Sequence, residues 1–168
     1  MSDLTDFRTA KDAMFRDSAN SPLTAAQRKS FQGLAYYPEN RVLIFSCVSE
    51  PLEGEPVTLQ TSTGDTADYL RSARVTFAVE GREVAMTVFT DPSSGELFLP
   101  FRDMGTVGET YEAGRYLEVE VLVDGRLLLD FNYAYNPYCA YNDGWSCPLT
   151  PAENRVQVPI RAGERSFH

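Results

Sequence analysis

The sequence predicts a mainly β protein, an antiparallel β-sandwich or barrel of about eight strands with a helical segment in front of it. Three observations predict this. Beyond residue 33, apolar residues recur with period two in short runs rich in Val, Leu, Phe and Thr. Turn chemistry, with no helical stretch, separates those runs. With 168 residues and a hydrophobic fraction of 43%, the chain has the size and composition of one globular domain.

Residues 1–32 form the helical part of this single domain, spanning 1–168, and residues 33–168 form its β-rich body. Phe7, Ala10, Met14 and Phe15 recur near helical spacing among charged residues. The break at Asn20-Ser21-Pro22-Leu23 is expected to start a second short helix, capped by Ser21 with Pro22 at its first position. Leu23, Ala26 and Phe31 would be its apolar face. Strands are expected at 42–48, 57–61, 73–79, 82–89, 95–100, 115–123, 126–132 and 155–160. Glu80-Gly81 and Asp124-Gly125 read as two-residue hairpin turns, and Asp91-Pro92-Ser93-Ser94-Gly95 as a longer one.

The register of the second hairpin carries the main inference about a site. A two-residue turn at Asp124-Gly125 sets Val123 opposite Arg126 and Val119 opposite Asp130. Arg115, Leu117, Val119, Val121, Leu128, Asp130 and Asn132 then share the inner face, and Glu118 and Glu120 lie on the solvent side. A carboxylate at the edge of a core needs a partner. An Arg115–Asp130 interaction completed by Asn132 is therefore expected, either tying the hairpin to the next loop or lining a pocket mouth. A one-residue slip in the turn would reverse the faces.

Composition excludes much. The net charge of −9, with scattered basic residues, argues against nucleic acid. Every basic residue except Lys11 and Lys29 is arginine, which fits a high-salt cytoplasm or simply a GC-rich genome. No apolar run is long enough to span a membrane. The start, Met1-Ser2-Asp3-Leu4-Thr5-Asp6, lacks the basic and apolar regions of a secretory signal, so a cytoplasmic location is expected. The one histidine is His168, which removes Ser-His-Asp triads, Cys-His dyads and His-rich metal sites. Cys139 and Cys147, even with Cys47, make an incomplete zinc set. Neither a metal nor a cofactor is expected.

Two stretches carry potential chemistry. Residues 130–141 hold Tyr133, Tyr135, Tyr138 and Tyr141, with Trp145 just beyond. They form either a lid that stacks on a ligand or a loop packed back on the sheet. The Gly-rich loop Asp103-Met104-Gly105-Thr106-Val107-Gly108-Glu109-Thr110-Tyr111 matches no phosphate-binding fingerprint. Its carboxylates could serve as acid and base, although surface turn carboxylates are the commoner case.

Several segments together resemble one family. They are Phe101-Arg102-Asp103, Glu109-Thr110-Tyr111, Gly114-Arg115-Tyr116-Leu117, Asp130-Phe131-Asn132, Ala134-Tyr135-Asn136-Pro137, Cys139-Ala140-Tyr141, Cys147-Pro148-Leu149, Pro151, Glu153-Asn154 and Ala162-Gly163-Glu164. Phe31, Gly33-Leu34 and Tyr36-Tyr37-Pro38 extend the likeness toward the N-terminus. The family is an uncharacterised prokaryotic one, domain of unknown function 1684. Met104 and Thr150 depart from its pattern, and the resemblance assigns no activity.

The function expected is binding of a small polar or anionic molecule by a β-domain that could also be an enzyme. Asp103 and Asp130 are the candidate catalytic carboxylates. Tyr111, Arg115, Asn132, Tyr135, Asn136 and Asn154 are the candidate ligand-binding residues, with Arg115 on an anionic group. The competing expectation is a non-catalytic structural or protein-interaction module.

Overall fold

Acidic side chains open the first helix and a basic one closes it, as the helix dipole favours: Asp3 and Asp6 lie in the first turn of α1 (Asp3–Asp17) and Arg16 in its last. The computed structural model describes residues 3–104 and 108–168, so the centre of the Gly-rich loop, residues 105–107, lies outside the described residues. A six-residue helix, α2 (Ala25–Ser30), follows. Its cap is Thr24 rather than Ser21. Thr24 and Gln27 form a reciprocal capping box, with the Gln27 amide on Thr24 Oγ1 at 3.2 Å and the Thr24 amide on Gln27 Oε1 at 2.9 Å. Ser21 turns the chain instead, donating to the Phe15 carbonyl at 2.6 Å. Leu23 and Phe31 pack with Phe15 and Tyr141, whereas Ala26 is exposed.

Two open antiparallel sheets make up the body, so of the two expected architectures the sandwich is the one adopted. The larger sheet has five strands in the order β2 (Glu50–Gln60), β3 (Thr66–Val79), β4 (Arg82–Thr90), β5 (Leu97–Phe101), β6 (Arg115–Glu118). The smaller has three, β1 (Ile44–Cys47), β8 (Leu127–Asp130) and β7 (Glu120–Val121), with β8 in the centre. Val75, Met86, Val88, Leu99, Phe101 and Leu117 from the first meet Leu127 and Leu129 from the second in one core. Glu80-Gly81 is the expected two-residue turn: Val79 pairs with Arg82, and both turn residues have positive φ, 51° and 77°.

The second hairpin differs from expectation. The Leu122 amide bonds to Arg126 O at 2.8 Å, so Val123, Asp124 and Gly125 form a three-residue loop. Glu120 pairs with Leu128 and Val121 with Leu127. This one-residue shift turns Leu127, Leu129 and Phe131 into the core and sends Leu128 and Asp130 outward. Burying Leu127, Leu129 and Phe131 removes more apolar surface from water than the register inferred from a two-residue turn. The run expected at 115–123 breaks at Val119, where the chain passes from one sheet to the other, as strands do at sandwich corners. Residues 155–160 do not form a strand: the chain bends at Gln157 and Val158, although Val156, Val158 and Ile160 are buried. Residues 154–158 run beside 102–104 through three backbone hydrogen bonds and a single parallel bridge. No helix among the described residues is long and apolar enough to cross a membrane.

Candidate functional site

Arg115 is where the expected site and the structure part. Its side chain is 1% exposed. The guanidinium donates to the carbonyls of Ile160 at 2.7 Å, Ala162, and Glu164 at 3.1 Å, and to Asp103 Oδ1 at 3.4 Å. It also lies 5.0 Å from the centre of the Phe101 ring. The other Asp103 oxygen takes the Ile160 amide at 2.8 Å. The expected Arg115–Asp130 pair does not form, because the hairpin slip carries Asp130 to the opposite face of its sheet. Arg115 instead clamps residues 160–164 under the core. Gly163 makes this approach possible. A Cβ there would stand 2.6 Å from the Ala134 carbonyl oxygen, at a φ of 80°.

Asp130 and Asn132 do meet. Asp130 Oδ1 accepts the Asn132 amide at 3.0 Å and its Nδ2 at 2.9 Å. Asn132 in turn receives the Asn40 amide at 2.7 Å and donates to the Asn40 carbonyl at 3.0 Å, pinning the approach to β1. Asn154, 0% exposed, acts elsewhere. β4 and β5 pair only at Phe89–Phe98 and Thr90–Leu97. Where they part, the Asn154 amide bridges them, accepting the Thr87 amide at 2.7 Å and donating to the carbonyls of Thr87 and Pro100, each at 2.8 Å. Tyr111 sits with its hydroxyl 3.7 Å from Cys139 Sγ. A hydrogen bond from the Cys147 thiol lowers the Cys139 pKa to about 6 against the opposing effect of burial, with help from Tyr111 and Ser62. That same bond, with burial, pushes Cys147 up. Burial and a 2.8 Å hydrogen bond to Glu109 raise Tyr37 to about 12. Among the described residues, no three His, Cys, Asp or Glu side chains are grouped to hold a metal ion.

A cleft of about 1310 Å³ runs between α1 and the tyrosine loop. One wall is the α1 stripe Phe7, Ala10, Lys11, Met14 and Phe15, whose spacing puts these side chains on one helix face. Across it a train of rings leads from Tyr69 to Phe98 (5.4 Å), Tyr116 (4.7 Å) and Tyr135 (5.8 Å between the last two centroids). The Lys11 ammonium lies 5.0 Å over Tyr135 and is salt-bridged to buried Glu164, which also accepts the Tyr141 hydroxyl at 2.6 Å. At the rim, Tyr138 and Trp145 meet at 5.1 Å with their planes 64° apart.

A family model described as protein of unknown function, DUF1684, matches residues 29–165. The chain belongs to this family. An uncharacterised protein of Haloarcula marismortui, solved by solution NMR, is 36% identical to it with a TM-score of 0.73, covering 96% of this chain and 91% of that one. A search of curated proteins gives no match. All eight candidate residues fall within the DUF1684 stretch, whereas the α1 wall of the cleft precedes it.

Of the eight, Asp130, Tyr135 and Asn136 line the cleft. Asp103 and Arg115 form the internal clamp, Asn132 and Asn154 are structural bridges, and Tyr111 belongs to the cysteine pair. Sequence reasoning missed Lys11 and Glu164. The signal available was Lys11 as one of two lysines in an arginine-rich chain, and Glu164 directly after an obligatory glycine.

Proposed function

We propose that this protein binds a small molecule in the cleft between α1 and the tyrosine loop. The observation that carries the reading is the cleft itself, about 1310 Å³, walled by aromatic and aliphatic side chains with a few polar groups among them. That is the usual make-up of a ligand site, somewhat above the usual size. Of the residues expected from the sequence, Asp130, Tyr135 and Asn136 are among its polar contacts, and Arg115, enclosed by carbonyls, is not. A cytoplasmic location fits three free thiols, and the acidic, arginine-rich composition fits high salt.

The test is a thermal-shift screen of varied small molecules on the protein and on Ala10→Trp, which fills the cleft from an exposed helix position. Stabilisation lost in the blocked variant supports the reading. A silent screen, or hits indifferent to the block, overturns it. The second reading, an interaction module, draws on exposed Val42, Val48, Val121 and Val123 around the small sheet. It predicts concentration-dependent association that Val121→Asp abolishes.

A further inference from the structure

We infer that the ligand of this cleft is a small organic cation carrying an alkylated ammonium group, an inference that rests on the cleft being a ligand site. Five carboxylates, Asp91, Glu96, Glu118, Glu120 and Asp130, line it against one ammonium, Lys11. Lys11 is already neutralised by Glu164. None of Glu96, Glu118, Glu120 and Asp130 has a basic partner within ion-pair distance among the described residues. An anion entering here would meet uncompensated negative charge.

Aromatic faces supply the second argument. Ring faces attract cations through their quadrupole, and the cleft already shows the contact internally, with the Lys11 ammonium over Tyr135. Tyr138 and Trp145, each 37% exposed, meet at a steep angle and present a corner of two ring surfaces to the cleft. Glu118 and Tyr138 both act electrostatically on Tyr135, and all three line the cleft. A third observation is independent of charge at the rim. Asn136 lines the cleft, is 2% exposed, and leaves Oδ1 without a hydrogen-bond partner. A buried unpaired acceptor suits a ligand that brings a donor, such as a hydroxyl borne on the cation. Alkyl groups around the nitrogen suit apolar ring surfaces better than a bare ammonium, which holds its water more strongly.

The probes are choline, its neutral isostere dimethylbutanol, and the anion pivalate, which share one branched alkyl shape. Binding is read by fluorescence of Trp145, the only tryptophan, and by calorimetry. Choline should bind about 10-fold or more tightly than dimethylbutanol. Tyr138→Leu and Glu118→Gln should each weaken choline roughly 2- to 30-fold, the span of a single cation–π or charge contact, without moving the neutral probe or the melting temperature. Equal binding of choline and dimethylbutanol, or preference for pivalate, overturns the cation inference and leaves the cleft reading standing. Silence toward all three probes, in a protein whose cleft still answers the thermal-shift screen, also overturns it. If that screen is silent as well, the cleft reading itself has failed.

Discussion

Replacing Arg115 by methionine removes the clamp while keeping an unbranched stem of similar reach. The change leaves three carbonyls, those of Ile160, Ala162 and Glu164, without this donor, and takes the countercharge from the Asp103 carboxylate, whose side chain is 4% exposed. Breaking a buried ion pair from one side costs about 3–5 kcal/mol. That is a large share of the roughly 5–15 kcal/mol that holds an ordinary domain folded. At about 2–4 °C per kcal/mol for a chain of this size, Arg115→Met should lower the melting temperature by about 6–20 °C. Adding Asp103→Asn removes the buried charge, so the double variant should be more stable than the two single effects summed, by about 0.5–3 kcal/mol. Urea unfolding followed by circular dichroism measures both quantities. A loss under about 1 kcal/mol in the single variant, or strict additivity in the double, would refute the clamp. If Arg115→Met instead folded normally and lost only the binding of an anion, Arg115 would be a ligand residue after all.

Three further outcomes are expected. Asn154→Leu removes three buried hydrogen bonds, two to Thr87 of β4 and one to Pro100 of β5, and should cost about 3 kcal/mol or more. Hydrogen exchange should show the Thr87 amide losing protection first, and an unchanged urea midpoint would count against the bridge. Gly163→Ala should destabilise strongly, since its methyl would meet the Ala134 carbonyl at 2.6 Å in a left-handed backbone, and a melting point within a degree or two of the parent would contradict this. Cys139 should react with iodoacetamide ahead of Cys47, which burial holds up, and Cys147, which its hydrogen bond to Cys139 and then burial hold up. Its folded pKa is lowered, so labelling should rise through pH of about 6, as peptide mapping would show, and a midpoint above about 8 would exclude the thiolate.

Period two and turn chemistry located most of the strands, because those signals are local. The Glu80-Gly81 turn was legible since only two positive φ angles close it. Arg115 and Leu117 were rightly placed together on a buried face. What failed depended on choices between nearly equal local options. Asp124-Gly125 fits a two-residue or a three-residue loop, and the preference of Leu127, Leu129 and Phe131 for the core decided between them. Asp103 as the partner of Arg115 could not be read, since their meeting depends on the β5–β6 register, which pairs Phe101 with Arg115 and so sets Asp103 diagonally across from it. The cleft was hidden for a related reason. One wall comes from α1 and another from residues beyond 133, and its ion pair joins Lys11 to Glu164 across 153 positions.

Those spans bear on how the chain reaches this state. β1 finds its partner at Asp130, Arg8 reaches the carbonyl of Asn132, and Lys11 reaches Glu164. Each closure must spend the entropy of a loop comprising most of the chain before any contact offsets it. Folding should therefore be slow for the size of the domain, in the range of non-local β proteins, from milliseconds to seconds or longer. Unfolding carries the same topology in reverse. With α1 tied to residues 132 and 164, neither end of the described chain can peel away without opening the middle, so proteases should find few nicking sites while the domain is folded. On this account, the contacts that shape the cleft also set how long the protein lasts once it has folded.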